Sequence, residues 1–86
     1  MPVVSIFYGL IIRIFHGDHP PPHFHVQYGE HNAVIEISSG KVLHGNLPTR
    51  PKRLVEEWRK LRVKELKRTW EKAARFKLLN RIKPLD

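Results

Sequence analysis

The sequence has no cysteine and only one methionine. Without thiols, disulfides and thiolate metal centres are excluded, and a reducing compartment is the simplest setting. No apolar run reaches the length of about 20 residues that a membrane-spanning helix needs. The first apolar stretch, Ile6 to Phe15, is interrupted by Arg13 and has neither a basic flank before it nor a small-residue cleavage site after it, so it does not read as a signal peptide. A cytoplasmic location is therefore expected. Walker loops, dinucleotide fingerprints, zinc-finger spacings and nucleophile elbows are all missing.

Acidic residues are scarce as well. Eight Asp and Glu stand against 16 Lys and Arg, giving a formal charge of +8. The excess is one-sided. Residues 1–49 hold Arg13 and Lys41 against Asp18, Glu30 and Glu36, a net −1, whereas residues 50–86 hold 14 basic and five acidic residues, a net +9. Such asymmetry suggests a polyanion or an acidic protein as partner of the second half, unless it is simply a solvated helix face. In that half Arg59, Lys60, Lys67 and Arg68 are the candidate nucleic-acid contacts.

At 86 residues, one domain spans the chain, burying roughly 60–65 % of the surface that its unfolded form exposes. The chain changes character once, near Pro48. Before it, β-branched and aromatic residues alternate with turn residues. Strands are predicted at Val3–Phe7, Leu10–His16, His23–Tyr28, Asn32–Ser38 and Lys41–Gly45, an antiparallel meander. By period 2, Leu10, Ile12 and Ile14 face the core, as do Phe24, Val26, Tyr28, Ala33, Ile35 and Ile37, while Arg13, Val34 and Glu36 point away. After Pro48 the residues are mostly helix formers. Thr49 is the expected N-cap. Leu54, Trp58 and Leu61 form one apolar stripe, and Val63, Leu66, Trp70 and Ala73 form another, centred about 120° away. A straight helix would also be about 40 Å long. Two helices, or one bent sharply near Arg62 and Val63, are expected. The fold class is therefore α+β: about five antiparallel strands within residues 1–47, two C-terminal helices within 49–76, and an extended tail over 80–86.

The most informative segment is Asp18-His19-Pro20-Pro21-Pro22-His23-Phe24-His25, with three imidazoles and a carboxylate in eight residues. His23 and His25, two apart on a strand, share a face, and Arg13 and Glu36 can join them in one polar patch. Two chemistries fit. In metal-free acid–base catalysis on a phosphodiester, one His removes a ribose 2′-hydroxyl proton, another protonates the leaving oxygen, and Arg13 steadies the transition state. Alternatively, the His-x-His pair binds a divalent Zn²⁺, Fe²⁺ or Ni²⁺, with Asp18 or His19 as a further ligand. A third reading makes the stretch a stiff loop whose imidazoles hold backbone groups. No cofactor is expected, a divalent metal at His23 and His25 being the open alternative. His31 and His44 read as turn or surface residues, and Trp58 and Trp70 as core or partner anchors.

These motifs, together with Phe7-Tyr8-Gly9, Tyr28-Gly29-Glu30, Gly45-Asn46-Leu47-Pro48 and Leu54-Val55-Glu56-Glu57-Trp58, resemble the bacterial family called domain of unknown function 4160 (DUF4160). The resemblance covers nearly the whole chain. It implies a small prokaryotic cytosolic protein encoded beside a protein of family DUF2442, in pairs proposed as toxin–antitoxin modules. It carries no settled reaction. The functional expectation is a toxin-type component acting on RNA through Asp18, His19, His23, His25 and Arg13, in ribonuclease-like fashion, with a DUF2442-type partner. The alternative is a non-enzymatic regulatory module that binds nucleic acid or protein.

Overall fold

A computed structural model describes residues 2–86. Five strands, β1 (Val3–Phe7), β2 (Leu10–Arg13), β3 (His23–Tyr28), β4 (His31–Glu36) and β5 (Val42–Gly45), are followed by one helix, α1 (Thr49–Ala74). The strands form a single antiparallel sheet in the order β1-β2-β3-β4-β5, the expected meander. The β1–β2 hairpin closes through Tyr8 and Gly9, both at positive φ (48° and 80°). Two such residues give the turn the twist that matches the flanking strands.

The alternation sorts the sheet as predicted. Leu10, Ile12, Ile14, Phe24, Val26, Ala33, Ile35 and Ile37 are buried on the face covered by α1. Trp58 closes the core from the helix side, its ring tilted onto Phe7 and edge-on to Phe24.

The two separate C-terminal helices expected above are instead one helical element. It is nevertheless interrupted at the predicted place: Arg62 has φ −117° and ψ 18°, outside helical geometry. The backbone turns through this single residue without leaving the helix, so no loop is needed to re-aim the second apolar stripe. Leu61 does not belong to the buried stripe and is 61 % exposed. Before the kink the inward positions are Pro51, Val55, Trp58 and Arg59, spaced as one helical face. Thr49 makes no capping bond, and the helix starts from Pro48, whose carbonyl oxygen accepts the Lys52 N–H.

Arg59 lies 7 % exposed. It donates from Nε and Nη2 to both carboxylate oxygens of Glu56 (2.8 and 2.7 Å) and from Nη1 to the Ile37 carbonyl (2.8 Å), tying the helix to the end of β4. These hydrogen bonds, aided by the charges of Arg59 and Lys60 and opposed by burial, hold the Glu56 carboxyl below its ordinary range. A depressed folded-state value stabilises the fold above the unfolded value of about 4.3. That stabilisation is lost as pH falls through it and through the lower folded value. Urea unfolding between pH 6 and pH 3 should therefore show an acid-side loss of stability that Glu56→Gln reduces; an identical pH slope in the variant would contradict this coupling.

Beyond α1 the chain reverses with Phe76 at φ 56°, and the Lys77 N–H reaches back to the Lys72 carbonyl, a helix-ending pattern that normally places glycine at the reversal. The tail over 80–86 has no regular structure and docks on the domain. Ile82 N–H donates to Val4 O at 2.7 Å, and Trp58 Nε1–H donates to Lys83 O at 2.9 Å. Among the described residues, no helix is long and apolar enough to cross a membrane.

Candidate functional site

The loop from β2 to β3 is fastened to the end of α1. Gly17 N–H donates to Ala73 O at 3.1 Å, and His16 Nε2 donates to Lys77 O at 2.8 Å. Gly17 has φ 69°, and a Cβ there would lie 2.6 Å from the Phe76 ring, so any other side chain is strained in conformation and must displace that ring. This clamp sets the position of the next residue, Asp18.

Asp18 is the hub. Its Oδ1 accepts the His19 backbone N–H at 2.9 Å, and its Oδ2 lies 2.9 Å from His23 Nε2 and 3.3 Å from His25 Nε2. Burial pushes the Asp18 carboxyl up, but hydrogen bonds from His25, His23 and the His19 backbone outweigh it and hold the carboxyl below the usual carboxylate range. The His23 side chain is buried, its ring 5.0 Å from Trp70 and 5.2 Å from His25 between centroids. The His25 ring is half-buried and meets Phe15 edge-on at 4.6 Å.

The Nδ1 of His23 lies 2.7 Å from the Pro21 carbonyl oxygen, which can only accept, so Nδ1 carries a proton. A neutral ring then has a bare lone pair on Nε2, aimed at a carboxylate oxygen. Two lone pairs at 2.9 Å repel, so either Nε2 carries the second proton of an imidazolium–carboxylate pair, the hydrogen bond that lowers the Asp18 carboxyl, or a cation lies between the two atoms. The same arrangement, Nδ1–H on a backbone carbonyl and Nε2 free, is the usual orientation of a metal-ligating imidazole. With metal–ligand bonds of about 2.05 Å, ligand atoms stand about 2.9 Å apart at a right angle and about 3.3 Å apart at the tetrahedral angle. The observed 2.9 and 3.3 Å are compatible with these values, and are also the lengths of N–H···O hydrogen bonds. One donor atom from each of Asp18, His23 and His25 lies within 4.8 Å of the others.

The remaining predicted residues stand apart. His19 is exposed; its Nδ1 donates to Pro20 O at 3.3 Å, and its ring centroid is 6.1 Å from that of His23. Arg13 is in register with His25 across the strands, but its Nη1 donates to Gln27 Oε1 at 2.7 Å. Glu36 is opposite His23 in register, yet its carboxylate accepts the Ser39 hydroxyl. Lys60, Lys67 and Arg68 are exposed on α1, whereas Arg59 is buried with its charge engaged by Glu56. Arg59 is therefore withdrawn from the candidate nucleic-acid contacts.

Sequence reading missed the roles of Trp70, which packs on His23, and of Phe15, Gln27 and His44. With Arg13 and His25, these last three line a depression of about 440 Å³ on the sheet face away from α1. Residue parity placed Gln27 on that face; only strand register could bring His44 there. A larger depression, about 660 Å³, lies between Tyr8, Tyr28, the start of α1 and the tail; it adjoins none of the cluster.

The model of the family described as Domain of unknown function (DUF4160) matches residues 9–71. The chain belongs to that family. The DUF4160 match holds Asp18, His23, His25, Trp70 and the whole lining of the outer depression, and leaves out β1 and the docked tail. Neither a curated protein nor a solved structure matches the chain.

Proposed function

We propose that this DUF4160 chain is a cytoplasmic, toxin-type bacterial protein that acts on RNA through a divalent metal held by Asp18, His23 and His25. The observation carrying this reading is that both imidazole Nε2 atoms converge on Asp18 Oδ2 while the other nitrogen of His23 is committed to Pro21 O. That commitment disfavours the metal-free scheme. His23 has no nitrogen left with which to exchange a proton with substrate, which leaves such a scheme only His19 and His25, and His19 stands outside the cluster with its Nδ1 on Pro20 O. Three protein ligands instead leave coordination positions for water and a phosphate oxygen. The ion would supply a nucleophile at neutral pH and neutralise charge on the phosphate. His25, half-buried beside the outer depression, borders the space where a phosphodiester can approach. Lys60, Lys67 and Arg68 add long-range attraction for a polyanion, and a DUF2442-type protein is the proposed partner that restrains the activity.

Expression of the chain alone in a bacterial host should slow growth, and the purified protein should cleave RNA with added divalent metal but not with chelator. His25→Ala should remove both effects. Its half-exposed ring leaves no core cavity, and the variant should keep the native circular dichroism spectrum. A folded His25→Ala variant that still arrests growth would overturn the assignment of the site. Tight RNA or partner binding without cleavage under any metal would favour the non-enzymatic regulatory module.

A further inference from the structure

The sheet is covered on one side only. On the open side, Arg13, His25, Val34 and His44 stand in register across β2, β3, β4 and β5, a row spanning about 14 Å at the usual strand spacing. Ile11, Gln27 and Asn32 form the neighbouring row. The depression over these rows has no carboxylate in its lining, whereas it holds one guanidinium and two imidazoles. Its polar groups are poised for an outside ligand. The Gln27 carbonyl oxygen accepts from Arg13, so its amide NH₂ is turned away as a double donor. Asn32 and His44 are exposed. Arg13 donates from Nη1 to Gln27 and its Nε is shielded from solvent, so a phosphate oxygen would meet the guanidinium at its outer edge, through Nη2. Phe15 and His44 add flat rings on which an unstacked base can lie.

We infer that this open sheet face binds single-stranded RNA, with phosphate on Arg13, base stacking on Phe15 or His44, and base edges read by Gln27 and Asn32. Single-stranded RNA is favoured over duplex because splayed bases can reach a sheet face carrying amides and rings, whereas a duplex offers only its backbone and a shallow groove. The inference rests on the proposed action on RNA and names how that substrate is held: His25 belongs to both the depression and the Asp18 cluster, so a strand lying on this face passes beside it. It also moves the principal RNA contacts from the helix to the sheet.

The test is equilibrium binding of a short fluorescein-labelled single-stranded RNA to the full chain in EDTA, which removes the metal from the readout. His44→Glu and Asn32→Asp put carboxylates on the face at exposed positions, where folding is retained. Each should weaken binding about tenfold, while Lys60→Glu on the helix should have a much smaller effect. Zinc titration of the same two variants should match the wild-type protein. Undiminished RNA affinity in His44→Glu and Asn32→Asp, a larger loss in Lys60→Glu, or equal affinity for duplex RNA would each overturn the inference. The two readings fail separately. RNA cleavage by wild type with unaffected face variants sinks the sheet-face site alone. Face-dependent RNA binding by a chain that takes up no metal sinks the metal reading alone.

Discussion

Replacing Asp18 with alanine should lower divalent-metal affinity by more than about 100-fold, because loss of an outer partner of a metal ligand already costs 10–100-fold and Asp18 is the proposed ligand, the carboxylate on which both imidazoles converge. The fold should survive. Asp18 is only half-buried, and its removal strands the buried Nε2 of His23, costing about 1–3 kcal/mol. Asp18→Asn separates the metal role from a merely structural one. Asparagine keeps the shape and one of the two acceptor oxygens, so a loop held only by hydrogen bonds would lose about the worth of one of them, roughly 1 kcal/mol, and keep its activity. A metal site loses the anionic oxygen that balances the ion's charge, so metal uptake and RNA cleavage should both collapse in Asp18→Asn. Calorimetric zinc titration at matched folded concentration checks this; a wild-type affinity in the asparagine variant would contradict it.

The largest effect on stability is expected at Trp58. It is fully buried, contacts Phe7 and Phe24 at centroid distances of 5.3 and 5.8 Å, and donates to Lys83 O. Trp58→Ala should cost about 3–5 kcal/mol, a large share of the stability of a domain this size, and lower Tm by about 12–40 °C. Trp58→Phe keeps an aromatic ring against Phe7 and Phe24 but frees the tail, so proteolysis within residues 80–86 should accelerate while the sheet stays folded. Thermal unfolding followed by circular dichroism decides the first point. A loss below about 1 kcal/mol for Trp58→Ala would mean that the core is not organised around this side chain.

Much of the fold was legible because strand period and helix period report burial directly. Leu10, Ile12 and Ile14, then Ala33, Ile35 and Ile37, alternate without exception and face the core. Two apolar stripes rotated relative to each other located the irregularity at Arg62, although a single residue with altered dihedrals sufficed where two helices were expected. Arg59 was misread because a long basic side chain beside Lys60 looks like surface; its burial depends on two carbonyls at the end of β4 and on Glu56 three residues earlier, and only the tertiary fold supplies the former. At the site, residue types pointed to Asp18, His23 and His25 together. Their convergence on one carboxylate oxygen depends on where the loop is pinned, through Gly17 and the end of α1, a contact more than 50 residues distant in sequence that no local pattern encodes. The exclusion of His19 and Glu36 has a local origin instead: their hydrogen-bond partners, Pro20 and Ser39, lie one and three residues away and hold them off the cluster.

Asp18, His23 and His25 are proposed to ligate one divalent ion. Anomalous scattering at the zinc edge from a crystal soaked in Zn²⁺ tests it most directly. One strong peak per chain is expected between Asp18 Oδ2, His23 Nε2 and His25 Nε2, with bond lengths of about 2.0–2.2 Å. A map without a peak there, with the two imidazoles still within hydrogen-bond distance of Asp18, would contradict it.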